Sequence, residues 1–282
     1  MKRIILILCL SSILNSCGFN LEEDGYNFDN FKETPLWELA QAVRADDENE
    51  VKQILKDSKL EVDLKDPEYF QTLLALSIQN HKRKAFLALL NAGANSNELL
   101  GNPQDATPFI YAIWNVDNCD LFYVENMLKH GANPNLEIKN PKPGYYFQNT
   151  FPLLVAIGLN DNNGNDCLNL IRLLVENGAD INVCFKQPES DLCEGVIAES
   201  LTANSMETLK YFVVEKKITI PDTVTIYGGI DKSTQEVYGL KEVLSSEKFE
   251  YKDFESDGIK YDRSKQRKIR DEILEYLNKT KK

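Results

Sequence analysis

The sequence predicts an all-α protein: a solenoid of about five helical hairpins with long hairpin loops and a C-terminal helical cap. Three observations carry that prediction. The phrase Gly-Ala-Asx-x-Asn occurs three times, at Gly93–Asn97, Gly131–Asn135 and Gly178–Asn182. Each copy follows an apolar helical run: Phe86–Leu90, Val124–Leu128 and Leu170–Leu174. Each is preceded upstream by a second signature, opening at Thr72-Leu73, at Thr107-Pro108 and at Phe151-Pro152. Such units bury a core only by stacking on their neighbours, so the recurrence decides the architecture.

Each element of the unit has a local reason. Thr107 suits a helix N-cap, and Pro108 and Pro152 suit a first turn, where the missing N–H is not needed. The small residues Ala112 and Ala156 let a neighbouring helix approach closely. A polar turn leads to the second helix with its Leu-rich run. Gly93, Gly131 and Gly178 fit the position after a helix end, where a left-handed backbone costs glycine little. The alanine that follows is small enough to be buried under the turn. The Asn and Asp residues bond to nearby backbone and hold a tight loop.

This pattern resembles the ankyrin repeat, a helix–turn–helix plus hairpin-loop unit of about 33 residues. The resemblance covers Thr34 to Thr219, and the stretch from Thr72 to Asn97 keeps the family spacing without insertion. The outer copies are weaker. The first opens at Thr34-Pro35-Leu36-Trp37, continues with Val51–Leu55 and holds Ser58 at its glycine position. The fifth shows Asn204–Val213 and has lost its glycine. Weak outer copies fit capping units with a more polar outer face. The family's histidine after Thr-Pro-Leu is missing; Trp37, Ala75, Ile110 and Leu154 stand there, which weakens the helix-start hydrogen bonding of the pattern. The resemblance implies a scaffold that recognises another protein and needs no cofactor.

Residues 1–16 read as a lipoprotein signal peptide. Lys2 and Arg3 form a basic start, and the apolar run Ile4–Leu10 is too short to span a bilayer. Leu14-Asn15-Ser16-Cys17 resembles a bacterial lipobox, with Cys17 as the lipid-bearing first residue of the mature chain. Residues 17–33, with Glu22-Glu23-Asp24, read as a flexible tether. Together these imply an anchor in the bacterial outer membrane or cell surface, the membrane being touched through the N-terminal lipid alone.

The chain carries 44 acidic and 32 basic residues. That balance repels nucleic acid and anionic lipid, so nucleic-acid binding is excluded. The basic exception is the end, from Lys260 to Lys282. There Ile269, Ile273, Leu274 and Leu277 form an apolar stripe at helical spacing, and the basic residues read as its solvated face. A basic patch for a partner is the competing reading. In the C-terminal segment, residues 220–282, the repeat is gone. Pro221, Gly228-Gly229 and Gly239 punctuate it, and Thr223–Tyr227 alternates like a short strand. It should pack on the last unit and close the stack.

Six cysteines are present. Apart from Cys9 and Cys17, four remain in the mature chain, an even number that favours disulfides in an exported protein. In the repeat register, Cys119 lies 12 residues before Gly131 and Cys167 lies 11 before Gly178. Both therefore sit near the start of the second helix in adjacent units. Cys184 and Cys193 flank one loop. The register favours Cys119–Cys167 and Cys184–Cys193; four buried free thiols are the competing reading. A close cysteine pair with metal spacing is missing, so no metal site is expected.

No catalytic set stands out. His81 falls in a polar turn, and His130 at a helix end, where a cation interacts well with the dipole. There is no P-loop, no dinucleotide fingerprint and no Gly-x-Ser-x-Gly elbow. Asp161–Asp166 is oxygen-rich but lacks the continuation of a calcium loop and reads as a solvated turn.

The binding surface is expected at the second long loop. Gly93 to Pro108 spans 15 residues and Gly131 to Pro152 spans 21, against about 13 in the resembled repeat. The longer loop holds Tyr145, Tyr146 and Phe147 behind two prolines. They are aromatic anchors for a partner, or they fold back over neighbouring units; both readings stand. Tyr111 and Trp114 extend the patch or belong to the core. The expected function is a non-catalytic protein-binding scaffold in the envelope, of which an immunity or inhibitor protein is one version. The alternative is an envelope enzyme or glycan-binding protein with its site in Ile220–Asp262. A deep polar pocket there would favour that alternative.

Overall fold

The computed structural model describes residues 27–101, 106–116, 119–138, 151–159, 167–186, 193–228, 234–256 and 259–280. Among them are twelve α-helices, so the protein is predominantly helical as expected. Three short antiparallel hairpins are added to the all-α expectation. The chain divides into two compact units, Met1–Ala94 and Asn95–Lys282. The division falls inside the first Gly-Ala-Asx loop, within the segment 34–219 that the sequence presents as one array.

The first unit holds two helix pairs, α1 (Trp37–Arg44) with α2 (Glu48–Asp57) and α3 (Leu73–Gln79) with α4 (Arg83–Asn91). Asp47 caps α2 by accepting from the N–H groups of Asn49 and Glu50, both at 3.1 Å. Thr72 caps α3 through the Ala75 N–H at 3.2 Å. The first helix packs on the third and the second on the fourth. Leu73, Leu74, Leu76 and Ile78 of α3 are all buried, each contributing roughly 1.5–3 kcal/mol of burial. The sequence puts the start of the first helix at Thr34-Pro35. The helix instead begins at Trp37, after a turn in which the Thr34 hydroxyl accepts the Leu36 N–H at 3.2 Å.

Part of the expected tether is folded. A 3-10 turn, Phe28–Phe31, packs on α1 and buries both phenylalanines. Counting aliphatic residues missed them: two aromatics three apart suffice to fasten one short turn. Cys17 and the signal segment lie outside the described residues.

The second unit continues with α5 (Pro108–Trp114) and α6 (Phe122–Lys129), then α7 (Pro152–Gly158) and α8 (Leu168–Glu176). A hairpin of β1 (Cys184–Lys186) and β2 (Cys193–Gly195) leads into α9 (Val196–Thr202) and α10 (Met206–Lys210). Pro108 and Pro152 stand in first turns, and Thr107 caps α5 through the Ile110 N–H at 3.2 Å. Helix α7 packs on both α5 and α9. The expected strand is present as β3 (Val224–Gly228), paired with β4 (Thr234–Tyr238). After α11 (Leu240–Ser245) and a hairpin of β5 (Phe254–Ser256) with β6 (Ile259–Tyr261), the chain ends in α12 (Ser264–Thr280). Helix α12 buries Ile269, Ile273 and Leu277 and packs on α10 and α11.

A left-handed residue turns the chain between the two helices of a pair: Asp46, His81, Cys119 and Asn204, with φ from 54° to 58°. In three of these turns the N–H of that residue and the N–H after it close back on the first helix in the same way. His81 reaches Ile78 at 3.0 Å and Lys82 reaches Ser77 at 2.7 Å; Asp46 and Asn204 repeat the pattern. This is the glycine-type helix stop made without glycine, and polar residues tolerate it best. His81 is therefore a turn residue.

Candidate functional site

The three Gly-Ala-Asx loops are the same object. Gly93, Gly131 and Gly178 have φ of 94°, 88° and 90°. An added Cβ would meet nothing within 4 Å at any of them, so backbone conformation alone requires glycine. The alanine N–H returns to the second helix at 3.0, 2.9 and 2.9 Å for Ala94, Ala132 and Ala179. These alanines are buried, as the sequence implies. The next Asn or Asp side chain then accepts the N–H two residues on: Asn95 from Asn97 at 2.9 Å, Asn133 from Asn135 at 2.9 Å, Asp180 from Asn182 at 2.8 Å.

In the second unit the last asparagine of a loop reaches the next loop. The Asn97 amide donates to the Gly131 carbonyl at 3.0 Å and accepts from the Asn133 N–H at 2.7 Å. Asn135 does the same to Gly178 and Asp180, both at 2.7 Å. One side chain holds a carbonyl and the N–H two residues beyond it. These rungs hold the starts of successive loops side by side.

The opposite ends of the pairs are joined as well. Asp46 accepts from the Lys84 and Ala85 N–H groups at 2.9 Å each, capping α4, whose own N-cap Lys82 makes no such bond. In the second unit a disulfide links Cys119 to Cys167, the N-cap of α8, with Cα atoms 5.5 Å apart. That is the pairing the register favours. Cys184 is also disulfide-bonded. Its hairpin places Cys193 opposite Lys186, two residues from Cys184; the side chain of Cys193 lies outside the described residues.

The aromatic candidates separate. Tyr111 is only 5% exposed and packs edge-on against Trp114, with ring centroids 5.2 Å apart. Tyr111 thus belongs to the core, not to a presented patch. The reason is burial all round: on the short α5 every residue from Pro108 to Ile113 is buried, and only Trp114, at the end, is half-exposed. Tyr145, Tyr146 and Phe147 lie outside the described residues. A feature that the sequence did not disclose is Phe70, 47% exposed and left-handed at φ 57°. It tops a loop built on the buried carboxylate of Asp66, which accepts from the Glu68, Tyr69 and Gln71 N–H groups at 2.7–3.0 Å.

The C-terminal segment is fastened by α12. Arg267 bonds the Tyr251 carbonyl at 2.6 Å and Asp253 at 2.8 Å, and Arg270 bonds the Phe249 carbonyl at 2.9 Å. The Arg267 hydrogen bond, followed by the Arg263 N–H, holds the Asp253 carboxyl below its ordinary range. Lys210 lowers Glu272 in the same way, and Lys265 pairs with Glu207. These basic residues are thus engaged with acidic neighbours, as a solvated helix face should be. Beside the clamp lies a cleft of about 470 Å³, whose lining includes Asn204, Glu247, Glu250, Tyr251, Lys252 and Arg263. Tyr251 donates to Asn204 at 2.6 Å and Lys252 pairs with Glu250, so much of its polar lining is already matched.

The remaining candidates for chemistry do not converge. His130 uses Nδ1–H to bond the Asn126 carbonyl at 2.7 Å, closing the end of α6. No group of three or more His, Cys, Asp or Glu able to hold a metal occurs among the described residues. No described helix is long and apolar enough to cross a membrane. The sequence matches no known protein-family model and no curated protein.

Proposed function

We propose that this chain is an ankyrin-like scaffold that binds another protein, acts without catalysis or cofactor, and is anchored through lipid on Cys17 at the bacterial outer membrane or cell surface. The observation that carries the reading is the ladder of matched loops, Asn97 to Gly131 and Asn135 to Gly178. It repeats one loop start at a fixed spacing from pair to pair, the regular stacking on which solenoids build a recognition surface. Trp114, the half-exposed ring at the end of α5, is a candidate anchor. The disulfides suit an exported protein. An immunity or inhibitor protein is the specific version we favour. Its partner would be a toxin or an envelope enzyme.

The test is affinity capture of the detergent-extracted full-length protein, followed by reconstitution with the purified partner. Trp114→Ser should weaken that complex about tenfold or more, well beyond the roughly 1 kcal/mol of stability lost with its edge-on contact to Tyr111, and the variant should stay folded in the binding buffer. Equal affinity would remove Trp114 from the site. For the anchor, Cys17→Ser should release the protein into the soluble fraction. Lipid-free wild-type protein, read by mass spectrometry, would refute the anchor.

The second reading, a glycan-binding protein or envelope enzyme, draws on the cleft beside Tyr251 in the C-terminal segment. Titration with envelope oligosaccharides, against an Arg263→Ala control, tests it. Heat of binding that vanishes in the variant would favour it over the scaffold.

A further inference from the structure

We propose that Asn182 is an unfilled rung of the loop ladder and a docking point for a turn of a partner protein. This rests on the protein-binding reading above and names the chemistry that one of its contacts would take. The loop Gly178–Asn182 has the same internal bonds as the two loops before it. The Ala179 N–H returns to Leu174 at 2.9 Å and the Asn182 N–H reaches Asp180 at 2.8 Å. The preceding asparagines, Asn97 and Asn135, each hold the carbonyl and N–H of the following loop. Asn182 does not. Its side-chain amide folds back on its own Asp180 at 3.2 Å, and it is exposed.

The fifth helix pair explains why the rung stays open. The positions that match Gly131 and Asn133 are Lys217 and Thr219. After α10 the helix widens into a π-turn, Tyr211–Glu215. The Ile218 N–H then reaches back to Phe212 at 3.2 Å, six residues away, where the Ala132 N–H reaches only five, to Met127. Lys217 takes the left-handed position at φ 53°. The helix end is one residue wider than the ladder expects, and among the described residues nothing from it meets the Asn182 arm.

The filled rungs define the missing occupant. It offers a backbone carbonyl and, two residues on, an N–H, in a turn whose second clasped residue is Asn or Asp, as at Asn133 and Asp180. The ligand is thus a Gly-x-Asn or Gly-x-Asp turn on a protein surface, the two forms the filled rungs clasp.

The probe is a cyclic peptide carrying the sequence of Gly178–Asn182, titrated into the full-length isotope-labelled protein. We expect a saturable shift of the Asn182 side-chain amide in the millimolar range, as two neutral hydrogen bonds allow. Asn182→Ala should abolish the shifts in the surrounding loop and leave the urea midpoint unchanged, whereas Asn135→Ala lowers it. A peptide with Pro in place of Asp, which lacks the clasped N–H, should bind several-fold more weakly. No saturable shift at about 10 mM peptide, on the millimolar scale set by two such bonds, would overturn the proposal. So would shifts that persist in Asn182→Ala, or early melting of that variant, since the rung would then already be filled. Partner capture by the intact protein is read separately, so failure here is distinguishable from failure of the scaffold reading.

Discussion

The turn between the two helices of a pair reaches the neighbouring pair in both units, by different chemistry. In the first unit Asp46 accepts two N–H groups at the start of α4. In the second unit Cys119, the corresponding left-handed residue, is bonded to Cys167 at the start of α8. In both cases the recipient helix lacks a side-chain cap of its own. The difference teaches that this position is a joint whose geometry is set by the fold and whose strength is set by one residue. A carboxylate makes a reversible joint that works in any redox state. A cystine makes one that also removes freedom from the unfolded chain.

The largest test of that contrast is to reduce the covalent joint. Cys119→Ser should destabilise the second unit by about 4 kcal/mol, from the entropy of closing a loop of 48 residues. Trp37 reports on the first unit and Trp114 on the second, so fluorescence of single-tryptophan variants resolves the two. A fall in both units together would show that the joint is not local. Next comes the other end of the same pairs. Asn135→Ala removes two interloop bonds and should lower stability by about 2 kcal/mol in urea. A smaller loss than in Asn97→Ala would mean that the cystine already restrains that end.

The hydrogen-bonded joint should be weaker. Asp46→Ala should destabilise the first unit by about 1 kcal/mol, the ordinary worth of a helix cap, with no change in the Trp114 signal. Asp46→Asn should retain most of it, because an amide oxygen still accepts. The smallest effect is expected from acid. The Asp253 and Glu272 carboxyls lie below their ordinary values of 3.8 and 4.5. Their contribution is therefore present above those values and is lost as the pH falls through the lower folded ones. Docking of α12 should loosen only in that acid range, seen as faster amide exchange in residues 264–280. Loosening between pH 5 and 7, a range well above ordinary carboxylate values, would point to another group.

Much of this was legible in the sequence where local chemistry and tertiary need coincide. Gly131 needs its left-handed φ for its own helix end, and a motif records it. The Cys119–Cys167 pairing followed from register, because both residues hold the same place in adjacent pairs. What was not legible depends on partners distant in sequence. Asp46 looks like any polar turn residue until α4 is placed above it. Asp66 is a buried carboxylate that reads in sequence as one acid among many. The fifth pair lost its glycine, and only the backbone shows that a π-turn and Lys217 replaced it. Of the candidate anchors, Tyr111 fits patch or core by sequence alone; burial on all faces of a seven-residue helix decides it. Tyr145–Phe147 lie outside the described residues, so their two readings stand.

The bond between Cys119 and Cys167 also decides what a protease would leave behind. Any single cut in the chain from Asp120 to Asp166 falls inside the covalent ring. The two products would stay joined through the cystine, and for a cut beyond Asn135 the Asn135 rung spans the nick as well. Such a cut would be invisible on a denaturing gel run without reductant, and would appear as two bands once reductant is added.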